Sequence, residues 1–146
     1  MEIHTIGFGQ KTAEEFFGRL RSAGIRRLVD VRLNNVSQLA GFTKRDDLPF
    51  FLRELCGGAE YVHEKLLAPT QELLDAYKKQ KGSWADYERA FLSLMVERQI
   101  ETTIDRSLFD RPTVLLCSEP TAEHCHRRLV AEYLSQRWGD CRIIHL

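Results

Sequence analysis

Residues 113–134, TVLLCSEPTAEHCHRRLVAEYL, decide the architecture. Thr113 to Cys117 is a continuous apolar run, the pattern of a strand buried on both faces in a parallel sheet covered by helices. Pro112 stands before it and a polar loop follows it. Beyond that loop Leu129, Val130, Tyr133 and Leu134 recur at helical spacing, Gly139 stops the helix, and Arg142 to Leu146 supplies a last strand. Strand, helix, strand in this order reads as a right-handed crossover between parallel strands.

The other end of the chain carries the same unit. Ile3 to Phe8 is β-prone and closed by Gly7 and Gly9, and Thr12 with Glu15 three residues later makes a capping box. Phe16, Phe17, Leu20 and Ala23 follow at helical spacing up to Gly24, a C-cap residue. Arg26 to Arg32, with Leu28, Val29 and Val31, forms a second strand parallel to the first. Leu33 to Asp47 reads as a long loop over the strand ends. Asp46 or Asp47 caps a helix through Phe50, Phe51, Leu52 and Leu55 that Gly57 and Gly58 stop, and Glu60 to His63 is a third strand. Pro69 and Thr70 open a helix carrying Leu73, Leu74 and Tyr77. Ser83 caps another, with Trp84, Tyr87, Phe91, Leu94 and Met95 on one face, which reads as core. The alternation predicts one three-layer α/β domain over residues 1–146, with a mostly parallel sheet of about five strands and helices on both faces.

Composition bounds the function. Hydrophobic residues make up 43% of the 146, enough for a core. Lys plus Arg total 21 and Asp plus Glu total 21, so the overall field does not attract nucleic acid or an anionic membrane, and any anion site must be local. The opening MEIHTIGFG lacks the basic start and apolar run of a secretory signal, which predicts a cytoplasmic protein. The cysteines at 56, 117, 125 and 141 read as thiols, those at 56 and 141 as small buried hydrophobes. His4, His124 and His145 read as structural or solvated, and Lys44 with Arg45, Lys78, Lys79 and Lys81 as solvated surface.

In open α/β sheets ligands sit outside the carboxyl ends of the strands. Gly7 and Gly9, Asp30 and Arg32, His63, and Cys117 with Ser118 and Glu119 all fall there. The segment from Cys117 to Arg128 packs two thiols, two imidazoles, two carboxylates and two guanidiniums into twelve residues. With Thr121 as the cap, Glu123 to Arg128 would occupy the first helical turns, where amides and dipole lower a thiol pKa, making Cys125 a candidate thiolate.

Three chemistries compete. Cys117, Cys125 and His126, with His63, offer donors to a borderline-soft metal, but Cys-x7-Cys-His is not a familiar knuckle spacing, so no metal ligand is assigned. Cys117 at a strand end suits nucleophilic sulfur or phosphoryl transfer. A phosphatase-type cradle, however, needs Arg six residues after the nucleophile, where Glu123 stands after Cys117 and Ala131 after Cys125. Arg32, Arg127 and helix amides can instead hold a phosphate or carboxylate, with Glu119 and His63 moving protons. The structural counter-reading pairs Arg32 with Glu119 or Asp30.

Thr5-Ile6-Gly7, Val29-Asp30-Val31-Arg32, Tyr61-Val62-His63 and Leu115-Leu116-Cys117 with Cys125-His126-Arg127, taken together, resemble the family catalogued as domain of unknown function 488. The resemblance runs from about Ile3 to the C-terminus. It implies a mainly cytoplasmic α/β domain and marks Arg32, His63, Cys117, Glu119, Cys125, His126 and Arg127. Residues 34–42, NNVSQLAGF, stand where relatives carry Asn-Pro-Val-Ser and basic residues. Glu64 to Pro69 stands where relatives more often show Leu-Gly-Gly or Leu-Gly-Asn, and both departures weaken the case for a polyanion crossing these loops. A looser likeness of layout is to the rhodanese fold, but the loop after Cys117 is longer and holds Pro120, so that activity is not carried over.

The expectation is a small-molecule site, anionic or nucleotide-like, at the carboxyl edge of the sheet around the Cys117 to Arg127 loop. Cys117, Glu119 and His63 take the catalytic places, and Arg32, Asp30, Gly7, Cys125, His126 and Arg127 bind the ligand. The cofactor stays open, as do catalysis against a non-catalytic binding or adaptor role and a thiol- or metal-dependent enzyme. A homo-oligomer is compatible; nucleic acid and membrane partners are not expected.

Overall fold

The computed structural model describes residues 1–36 and 38–146; Ser37 of the Leu33 to Asp47 loop lies outside them. Strands β1 (Glu2–Gly7), β2 (Arg27–Asp30), β3 (Glu60–His63), β4 (Thr113–Cys117) and β5 (Arg142–His145) alternate with helices α1 (Ala13–Ser22), α2 (Leu48–Leu55), α3 (Gln71–Lys78), α4 (Trp84–Arg98), α5 (Ile100–Thr103) and α6 (His126–Trp138). The sheet order is β3-β2-β4-β1-β5, and every pairing is parallel.

The chain steps outward from β1 to β2 and β3, then returns to insert β4 between β2 and β1 before adding β5. Right-handed crossovers in both directions require the outgoing and returning helices to lie on opposite faces. They do. Phe16, Leu20, Leu48 and Leu52 of α1 and α2 pack with Ile6, Leu28, Val114 and Leu116. Phe91 and Met95 of α4 and Leu129 and Leu134 of α6 pack with Ile3, Val29, Leu115 and Cys117 on the other face. Successive β4 side chains therefore enter alternate cores, the physical reason for its unbroken apolar run. The same alternation turns Cys117 towards α4 and α6.

The α1 start follows its local signal: Thr12 Oγ1 accepts from the Glu15 amide at 3.1 Å in a complete capping box. Thr12→Ala is expected to cost about 1 kcal/mol and lower Tm by roughly 2–4 °C in a thermal melt.

Two other starts differ from the sequence expectation. Asp47 occupies the N-cap position of α2 without capping it, because Pro49 at N2 has no N–H to give, the Phe50 amide at N3 donates to the Asp47 carbonyl at 3.1 Å, and the carboxylate lies 3.5 Å from Lys44 Nζ. Residues within the expected loop wind into a 3-10 turn, Gln38–Thr43. Thr121 does not cap α6, which begins at His126 with Cys125 at its N-cap. Residues 118–124 stay outside the helix because Arg127 and Arg128 reach back to the carbonyls of Glu119, Ala122 and Glu123. Among the described residues no helix is long and apolar enough to cross a membrane.

Candidate functional site

Strand register sets the site. Gly7 pairs with Cys117, and Asp30 pairs with both Leu116 and His63, so four strands end level at one edge. Between β2 and β4 the outgoing connections leave to opposite faces, the arrangement that opens a crevice beyond the strand ends. A cleft of about 510 Å3 lies there, with Phe8, Arg32, Cys117, Cys125 and His126 on the strand side and Tyr77, Lys78, Trp84 and Tyr87 from α3 and α4 opposite.

Cys117, Cys125 and His126 are buried at this edge and bring their donor atoms within 4.8 Å of one another, a set able to hold a metal ion. His126 Nε2 donates to the Val31 carbonyl at 2.7 Å, which leaves Nδ1 unprotonated, and Cys117 Sγ lies beside the ring, 3.5 Å from Nδ1 and 3.9 Å from Nε2. Burial lowers the His126 pKa and keeps its ring neutral. The Cys117 thiol is held below its ordinary range first by the Cys125 S–H, which donates to it, with the Ser118 and Glu119 amides and the Arg127 charge adding to this against the cost of burial. Cys125 moves the other way, because its proton is committed to Cys117 and its surroundings are dry. Of the two thiols, Cys117 is thus the one that ionises first. Cys125 stands at the N-cap, yet its sulfur accepts no bond from the first-turn amides, so the activation expected of them does not reach it.

A lowered folded pKa means that the Cys117 thiolate persists as pH falls beneath the ordinary thiol range, and is lost only on passing the lowered value. Iodoacetamide labelling of Cys117, followed by mass spectrometry with a chelator present, is therefore expected to inflect below the profile of a free thiol, with Cys125 unlabelled across the same window. A Cys117 profile matching a free thiol would contradict the assignment.

Asp30, Arg32 and His63 form a second group beside the first. Arg32 grips Asp30 with two bonds of 2.8 and 2.9 Å and donates to the Thr43 carbonyl at 2.6 Å. Tyr61 Oη donates to the same carboxylate at 2.6 Å, and burial together with that carboxylate pushes the phenol pKa up. Asn35 Nδ2 reaches Asp30 and His63 Nδ1, and His63 Nε2 donates to the Arg32 carbonyl at 2.8 Å. Arg32 borders the cleft with its guanidinium already engaged, and both ring nitrogens of His63 are engaged within this network. The fold thus brings Cys117, Cys125 and His126 together and holds His63 apart from them.

Arg127 is 3% exposed. Its Nη1 donates to the Glu119 carbonyl at 2.8 Å, its Nε has no hydrogen-bond partner, and among the described residues no carboxylate forms an ion pair with it. Gly7 makes room for this contact, since a Cβ there would stand 1.6 Å from the Glu119 carbonyl oxygen. The Glu119 carboxylate turns outward to Lys78 Nζ at 2.9 Å.

The sequence reading missed the far wall. His124 stacks on Trp84 with ring centroids 5.0 Å apart, and Trp84 stacks on Tyr87 at 5.3 Å. Helical spacing does place Trp84, Tyr87 and Phe91 on one face, and the latter two are core. Trp84, however, is the first residue of α4, where that face runs out over the strand ends.

A doubly wound parallel α/β domain with a buried cysteine–histidine group at its carboxyl edge is the class these features define. The chain belongs to the DUF488 family: residues 12–134 match the profile described as "Domain of unknown function DUF488". No curated protein and no solved structure matches it.

Proposed function

We propose that this domain binds a small planar anion of nucleotide-like class in the strand-edge cleft, with Cys117 at the floor. The observation that carries the reading is one cleft uniting an aromatic wall, Tyr77, Trp84 and His124, with Lys78 at its rim and the Cys117 floor. A volume of about 510 Å3 suits a ligand of that size. The flat wall offers a stacking surface, and the buried Arg127 guanidinium, lacking a carboxylate, biases the floor towards negative charge. Balanced overall charge points to a small molecule rather than a polyanion, and four free thiols fit a reducing, cytoplasmic compartment.

The test is a thermal-shift panel of nucleotides and phosphorylated small molecules with tryptophan fluorescence. Wild type is expected to gain Tm with at least one ligand, and Trp84→Ala to weaken that ligand by about 10-fold or more, as lost stacking contacts do. A wild type unmoved by the whole panel sinks the reading.

A second reading, thiol chemistry at Cys117, is favoured by the lowered thiol pKa beside a neutral imidazole. An adaptor role, with the loop as a purely structural clasp, is favoured less. The clasp bond uses the Glu119 backbone carbonyl, so Glu119→Gln should leave the melt nearly unchanged while altering binding at the cleft rim.

A further inference from the structure

Cys117, Cys125 and His126 show no metal motif by spacing, yet the fold gathers them at the floor of the cleft. The geometry points to an open metal site: one zinc-class divalent ion held by Cys117 Sγ, Cys125 Sγ and His126 Nδ1, its fourth position facing the cleft. This goes beyond the ligand class proposed above and does not depend on it.

Distance is the first support. A tetrahedral zinc ion, with sulfur at about 2.3 Å and nitrogen at about 2.0–2.1 Å, sets two such ligands roughly 3.6 Å apart. The Cys117 Sγ to His126 Nδ1 separation is 3.5 Å, and the whole triad fits within 4.8 Å; the same sulfur is 3.9 Å from Nε2, so the imidazole turns on binding to aim Nδ1 at the ion.

The outer contacts point the same way. Metal-bound histidines characteristically donate their second ring N–H to a carbonyl or carboxylate, which fixes the tautomer and aims the free lone pair. His126 does this through Nε2 to the Val31 carbonyl at 2.7 Å. Cys125 sits at the helix N-cap without a side-chain capping bond, so its sulfur is not needed to start the helix. All three residues are buried, and all three line the cleft, which leaves one approach for a water or ligand. Thiolate with imidazole favours a borderline-soft ion over magnesium or calcium, which take oxygen.

Charge gives the site its preference. Two thiolates, a neutral imidazole and a divalent ion sum to zero, leaving the Arg127 guanidinium uncompensated, so hydroxide or an acidic ligand group in the fourth position restores balance. Binding displaces the Cys125 proton, and that of Cys117 where it is still present, to solvent. The metal keeps its oxidation state and no oxidant is consumed.

The test uses the full chain, reduced and stripped with a chelator, titrated with Co(II) alone and then with Zn(II). Wild type is expected to take up one Co(II), with sulfur-to-cobalt charge-transfer bands, four-coordinate d–d intensity and proton release, and Zn(II) should bleach the spectrum. A Zn(II) excess of about 100 times Kd should raise Tm by roughly 5–10 °C. Cys125→Ser and His126→Gln should each weaken binding by more than about 100-fold, since loss of an outer-shell partner alone costs about 10–100-fold. Cys141→Ser should bind as wild type does.

A fully reduced, folded wild type without charge-transfer bands overturns the inference, and so do bands that survive in both ligand variants. The wild-type spectrum decides even where a variant fails to fold. Because neither titration contains nucleotide, failure of the ligand panel and failure of the metal site are read separately.

Discussion

Asp30→Ala is expected to remove about 3–5 kcal/mol of stability and to lower Tm by roughly 10–15 °C. The carboxylate is fully buried and holds Arg32 through two charge-assisted bonds, Tyr61 Oη through a third and Asn35 more loosely. Its removal strands a guanidinium that is 7% exposed, a charge that water cannot readily solvate. Replacing both members, as Asp30→Ala with Arg32→Met, should cost clearly less than the two single changes added together, because no orphaned charge remains. Urea melts of the two single variants and the double measure this. A loss below about 1 kcal/mol for Asp30→Ala would show the pair behaving like a surface contact and contradict its role as the clasp of the β2 end.

Gly7→Ala is expected to cost about 3 kcal/mol or more, at the upper end of overpacking, and to disable the cleft floor as well. Its Cβ would meet the Glu119 carbonyl oxygen at 1.6 Å and Arg127 Nη1 at 2.8 Å, the first being backbone that cannot swing aside. Glu119 must move, carrying its amide and that of Ser118 away from Cys117 and opening the Arg127 contact. The Cys117 pKa should then rise, shifting the alkylation profile to higher pH than in wild type. Gly18→Ala, in α1 with nothing near its added methyl, is the control and should be neutral or stabilise by up to about 1 kcal/mol. Equal melts and equal alkylation profiles for Gly7→Ala and wild type would refute the close approach.

The elements whose signals are local are legible in the sequence. Glu60 to His63 and Thr113 to Cys117 are strands with the bounds expected, and Thr12, Thr70 and Ser83 each accept the first-turn amide bond that their residue type suggests. Parallel pairing and helices on both faces also followed, because strand–helix–strand order leaves few alternatives. Where side chains reached back to backbone, the reading failed: Arg127 and Arg128 hold the carbonyls of Glu119, Ala122 and Glu123 and keep residues 118–124 out of the helix.

For the candidate site, sequence named the sheet edge at which Cys117, Cys125 and His126 meet. It left the reactive thiol open between Cys117 and Cys125 and left Trp84 and His124 out of the cleft. Both differences depend on strand order, since inserting β4 between β2 and β1 sets Cys117 beside the Val31 carbonyl that orients His126, and the α4 start across from it.

Hydrophobic period, turn residues and caps act over a few residues, so the amino-acid sequence by itself determined the elements, the layering and the edge where the polar groups collect. Which polar groups meet at that edge was decided by the tertiary structure. Contacts such as Val31 with His126, or Trp84 with His124, join positions far apart in the chain, and only crossovers closing on one another bring them within bonding distance.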